Sequence, residues 1–298
     1  MTLFILSVVF GISGGVLRAQ ELRYAFGDIN SVGRMPDAWH GLTIAMIALS
    51  AVFALLAFLY SRRNYEPKQC PVPSILQILA GLILAVTASG ELHRTFIAVP
   101  RVTSQLLYAV LFALAALAVL TTAIRSLLNK SNTNSLALLI PIFWGCFRLM
   151  NTFFLHAANP VRTSYAYGLF SDVAMAFTLL LFAGIYFGQH KTAPLRLGGA
   201  LACFFGITSL LAPLLYRLQG YAFDTLPHTG FSREFSHEAL LIDLGVYAFT
   251  ALLGAVALLT SGCEPKVDSL LLSSADTAKA DSLLLTNTNA EFIPTEEE

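Results

Sequence analysis

The sequence predicts an all-α protein: a polytopic membrane bundle of about eight transmembrane helices with a polar C-terminal tail. Three observations carry that prediction. Hydrophobic residues make up 56% of the 298 residues, and mean hydropathy is +0.69. Charged residues make up only 12%, about half the share of an ordinary soluble protein. The apolar residues also fall in continuous runs of about 20, the length that crosses hydrocarbon as a helix, and not in the alternating segments of about ten that build a barrel. Backbone amides find no water at that depth, so such runs satisfy their hydrogen bonds internally.

The first run, residues 3–20, is shorter than the rest. No positive residue precedes it and Val16-Leu-Arg-Ala-Gln20 is a poor cleavage site, so it reads as a retained helix and not a signal peptide. Gly11, Gly14 and Gly15 give it a small face suited to close helix contact. The second run, 39–61, opens on Trp39 and His40. The third, 73–96, is apolar until Ser89-Gly-Glu-Leu-His-Arg94. The fourth, 104–125, carries no charge before Arg125. The fifth, 135–157, carries Pro141, Arg148, Asn151 and His156, and the sixth, 164–187, carries Asp172. The seventh, 196–217, contains Pro213, and the eighth, 239–261, contains Asp243. Pro141 and Pro213 are expected to bend their helices and loosen a cavity.

Eight crossings return the chain to its starting side. All the lysines (Lys68, Lys130, Lys191, Lys266, Lys279) then fall in connections or tail on the terminal side. Arginines are numerous in the opposite connections. Counted as Lys plus Arg, the two sides are nearly balanced, and the lysines set the expectation of cytoplasmic N- and C-termini. Two opposite-side connections, 21–38 and 218–238, are longer and mix charge with aromatics, as binding loops do. The tail, 263–298, is expected to be flexible. It repeats Asp268-Ser-Leu-Leu-Leu as Asp281-Ser-Leu-Leu-Leu, which reads as a chance duplication in a disordered tail, a docking motif for a cytoplasmic protein partner, or a helix lying on the membrane surface.

Threading the runs through a bilayer gathers Glu91, His93, Arg94, Arg148, Asn151, His156, Asp172 and Asp243 into one half, with no comparable charge expected in the other. A charge in hydrocarbon costs about 2.5–3.5 kcal/mol on insertion scales and marks a functional site by default. At 1.5 Å per residue, Arg148 lies roughly 13 Å from the end of its run, and Asp172 about 12 Å into the next. Consecutive antiparallel helices therefore set opposite charges at equal depth, and the two are expected to pair. Such a pair either fixes helix register or forms the floor of a site.

The pattern suggests a one-sided cavity binding or transporting a small polar or charged solute. Arg148 and Arg94 would meet anionic groups, and Glu91, Asp172 and Asp243 would balance them or relay protons. A non-catalytic sensor or scaffold acting through the tail is a second reading. A metal-dependent membrane-embedded hydrolase using Glu91, His93, His156 and Asp172 is a third, although their spacing matches no zinc pattern. No HExxH, P-loop or GxGxxG motif occurs. No catalytic residue, metal ligand or cofactor is assigned. Cys70, Cys146, Cys203 and Cys263 form no CxxC pair and read as buried or incidental thiols. The chain carries zero net charge and no basic block, so the expected partners are the lipid bilayer and a solute, with no nucleic acid.

The segment from Phe143-Trp-Gly-Cys-Phe-Arg-Leu-Met-Asn151 through His156-Ala-Ala-Asn-Pro160 and Tyr165-Ala-Tyr167 resembles a region of uncharacterised multi-pass membrane proteins of Firmicutes. The resemblance covers about a sixth of the chain. It implies a bacterial plasma-membrane protein and carries over no catalytic residue.

Overall fold

A computed structural model describes residues 2–25, 40–62, 72–97, 103–128, 135–157, 166–186, 192–219 and 237–261. They form eight helices: α1 (Thr2–Ala25), α2 (His40–Ser61), α3 (Val72–Ile97), α4 (Thr103–Leu127), α5 (Leu139–Ala157), α6 (Ala166–Tyr186), α7 (Thr192–Leu218) and α8 (His237–Thr260). No strand occurs among the described residues. The tail with its repeat, and most of the 21–38 and 218–238 connections, lie outside them.

Seven of these helices are long and apolar enough to cross a bilayer. The eighth, α5, has a shorter apolar stretch, Leu139–Phe154, preceded by a 3-10 turn at Ser135–Leu138. Pro141 falls in the first turn of α5, where a missing N–H forfeits little intrahelical bonding. Large apolar side chains point outward along the bundle, with Val86 72% exposed, Phe143 65% and Ile44 64%. A soluble protein does not carry such a continuous apolar surface. The chain is a multi-pass integral membrane protein.

Two helices run past their expected ends. The first extends to Ala25 rather than stopping at residue 20, which brings Glu21 and Arg23 into α1 beside Arg18. The seventh begins at Thr192 rather than 196, which sets Arg196 inside α7 rather than at its first residue. In both places a charge reads as a helix boundary in the sequence but finds a polar partner inside the helix bundle.

Successive helices run up and down. α3, α4, α5, α6 and α8 each touch the next and close into a ring. Its interior is filled by Leu84, Phe112, Trp144, Val246 and Phe249, all fully buried. Outside the ring, α7 packs on α8 and α6, while α1 and α2 pack on α7.

Glycines set how closely α7 approaches its neighbours. A Cβ on Gly206 would come 2.6 Å from the Ala251 amide nitrogen, and one on Gly199 would come 2.9 Å from Ala257 Cβ. One on Gly254 would strike the backbone of Cys203 and Gly199. The α7 and α8 backbones therefore touch directly, which replaces the hydrophobic drive that lipid removes. The small face expected on the first helix packs the same way. Gly11 meets Ile207 and Gly15 meets Leu211, so α1 runs parallel to α7. Thr208 Oγ1 donates to the Gly11 carbonyl at 3.3 Å across this seam.

Candidate functional site

Arg148 of α5 is the centre of a polar network inside the five-helix ring. Its Nε donates to Asp172 Oδ1 of α6 at 2.9 Å, and its Nη2 donates to Asp243 Oδ1 of α8 at 2.9 Å. Nη1 reaches the Tyr108 hydroxyl of α4 at 3.4 Å. Thr152, one turn along α5, donates to Asp172 Oδ2 at 3.3 Å. The Tyr247 hydroxyl of α8 lies beside the same guanidinium. The Arg148 side chain is 0% exposed and that of Asp172 is 1% exposed. The planar fork of arginine serves two acceptors on different helices at once, which a lysine point charge does less well.

Glu91 of α3 lies within electrostatic reach of Tyr108. It is buried and holds Arg94 through both carboxylate oxygens, at 3.1 and 3.2 Å. Arg94 is 23% exposed. The network therefore grades outward, from the enclosed Arg148 to a partly exposed second guanidinium near the end of α3.

Below Arg148, away from that end, lies an aromatic floor. Trp144 is one helical turn from Arg148 on α5, about 6 Å along the axis. It stacks on Phe112 with centroids 4.5 Å apart and planes at 11°, and meets Phe249 edge-on at 6.4 Å. All three rings are fully buried. The Trp144 Nε1 finds no hydrogen-bond partner among the described residues. This aromatic packing closes the network on the side away from Arg94.

The expected Arg148–Asp172 pair is present. Asp243 joins it directly, and Glu91 and Arg94 adjoin it. The remaining expected members stand elsewhere. His93 is exposed; it sits two residues from Glu91, about 200° around the helix. Asn151 is half-buried and makes no hydrogen bond among the described residues. The side chain of His156 lies outside them. Tyr108 and Thr152 belong to the network although the sequence reading did not select them. Thr152 follows Arg148 at the i+4 spacing that stacks side chains on one face. Tyr108 carries no comparable sequence signal.

A second buried polar group lies at the same end of the bundle, where α1, α2 and α6 meet. Arg18 and Glu21 pair one turn apart on α1 at 2.5 Å. Thr43 of α2 donates to Glu21 Oε1 at 2.8 Å. The Arg18 guanidinium lies 4.8 Å from the Tyr167 ring centroid of α6. At the other end, Arg196 is also buried, and its Nη2 donates to the Ser261 carbonyl at 3.2 Å. That corrects the expectation that the opposite half holds no comparable charge. The contact answers an open carbonyl just past the α8 C-terminus with a cation, the favourable sign there.

Among the described residues, no three His, Cys, Asp or Glu side chains are arranged to hold a metal ion. Gly11-Ile-Ser-Gly-Gly15 has the spacing of a nucleophile elbow but lies in the middle of α1, where Ser13 is exposed and donates to the Val9 carbonyl. Comparison with known families, curated proteins and solved structures finds no match for the chain.

Proposed function

We propose that the protein binds and transports a small anionic solute together with a proton, with the Arg148 network as the binding centre. One observation carries the reading: a single enclosed guanidinium spans two carboxylates, Asp172 and Asp243, held on separate helices. A proton arriving from the near face and bonding to an Asp243 oxygen ends that ion pair. One arm of the guanidinium is then free to hold a carboxylate or phosphate of the solute, the acceptors to which arginine is best fitted. The incoming proton matches the incoming negative charge, so the net charge in low dielectric does not change. Glu91 and Arg94 stand toward the near face, along the path a proton or anion would follow. The aromatic floor closes the far side in this arrangement, as alternating access demands.

The same reading sets both termini in the cytoplasm of a bacterial cell. Its support is the lysine distribution and the local resemblance around the fifth helix.

The test uses proteoliposomes loaded with a pH-sensitive dye, with succinate or inorganic phosphate added outside. Both anions cross lipid poorly on their own. Anion-dependent internal acidification is expected, and Asp243→Asn should abolish it. Acidification no faster than in protein-free vesicles, or equally fast with the variant, would sink the proposal.

A further inference from the structure

Outside the network, α3 and α8 leave a groove of about 550 Å³ on the bundle surface. Leu82, Val86 and Leu241 form its walls, Thr87 and Gly245 lie at its base, and His93 closes one end. It runs about 16 Å along α3, at 1.5 Å per residue. Both helices cross the membrane, so the groove lies parallel to the bilayer normal and its walls stand at hydrocarbon depth. His93 lies at the end where the polar networks gather. It is exposed and has no hydrogen-bond partner among the described residues.

We infer that this groove seats one acyl chain of a bilayer phospholipid, with the lipid phosphate on His93. The ligand class follows from the polarity along the groove: an apolar trough ending on an imidazole N–H donor matches a hydrocarbon chain ending on a phosphate ester. The width is set where Gly90 omits a side chain. A Cβ at Gly90 would meet only Ile242 Cγ1, at 3.8 Å, so the gap there is open and its closure strains nothing. Imidazole donates to phosphate oxygen as a charge-assisted bond, stronger than a neutral one. The site is separate from the Arg148 network and stands whether or not that network carries a solute.

The full-length protein in detergent would be titrated with a palmitoyl-oleoyl phosphatidylglycerol and with the matching diacylglycerol, and bound lipid counted by native mass spectrometry. One phosphatidylglycerol is expected to remain at energies that strip all others. Gly90→Phe, which fills the groove, should weaken its binding about tenfold or more, and Leu117→Phe on the lipid-facing side of α4 should not. His93→Ala should lower phosphatidylglycerol to the affinity of diacylglycerol, about tenfold by the worth of one charged hydrogen bond, and leave diacylglycerol unchanged. Equal retention by Gly90→Phe and Leu117→Phe overturns the chain site. An undiminished preference for phosphatidylglycerol in His93→Ala overturns the phosphate contact. A dimer that Gly90→Phe dissolves would make the groove an interface between copies and overturn the proposal.

Discussion

Replacing Arg148 by Met removes the cation that bridges Asp172 and Asp243. The two ion pairs are 2.9 Å long, and the side chains of Arg148, Asp172 and Asp243 are 0%, 1% and 6% exposed. That burial excludes the surface figure of about 0–1 kcal/mol. The relevant magnitude is the cost of stranding a buried partner, about 3–5 kcal/mol. It corresponds to a roughly 150- to 5,000-fold fall in the folded-to-unfolded ratio. Arg148→Met should therefore unfold at much lower SDS mole fraction in reversible bicelle titrations. A triple variant, Arg148→Met with Asp172→Leu and Asp243→Leu, removes every member of the trio and fills similar volume. It should recover most of the loss, because well-packed apolar groups replace buried ion pairs at little or no net cost. A loss below about 1 kcal/mol in Arg148→Met would refute the reasoning, since it requires the aspartates to reach water or to take up protons at little cost. The triple variant also separates structure from function: if it folds and still carries succinate or phosphate with protons, the network serves register alone.

Other outcomes follow from the packing. Gly254→Leu drives its side chain into the α7 backbone at Cys203 and Gly199 and should abolish the folded monomer in size-exclusion chromatography; Gly41→Ala, with nothing within 4 Å of the new carbon, should elute unchanged. Trp144→Ala should cost about 3–5 kcal/mol in the same bicelle titration. Trp144→Phe should cost far less, since it also removes an N–H that has no partner among the described residues. Glu21→Leu removes the carboxylate that pairs with Arg18 and should cost about 3 kcal/mol, with Thr43→Val costing about 1 kcal/mol for the hydrogen bond it gives Glu21; a larger loss for Thr43→Val than for Glu21→Leu would contradict the assigned pairing.

The apolar runs made the eight helices legible, because every backbone amide in lipid must close within its own helix. Helix ends were less legible. Hydropathy treats Glu21 and Arg196 as exits from the membrane, yet Glu21 pairs with Arg18 within the same helix and Arg196 donates to a carbonyl 65 residues away. The Arg148–Asp172 pair could be found by counting depth along a short hairpin. Asp243 and Tyr108 stand 95 and 40 residues from Arg148, and which of their faces turns inward depends on how α8 and α4 close the ring. Asn151 and Thr152 show the limit of helical spacing. At three and four residues from Arg148 they flank it on either side, and only the position of α6 selects Thr152.

The parallel seam between α1 and α7 also imposes a schedule on biosynthesis. Thr208 and Gly11, which meet there, are 197 residues apart. At about 5–20 residues per second, roughly 10–40 s separate the emergence of one from the other. Through that interval α1 waits in the bilayer without its main neighbour, carrying Arg18, Glu21 and Arg23. The bond between Arg18 and Glu21 needs no other helix, so α1 brings its own counterion and can remain inserted until α7 arrives.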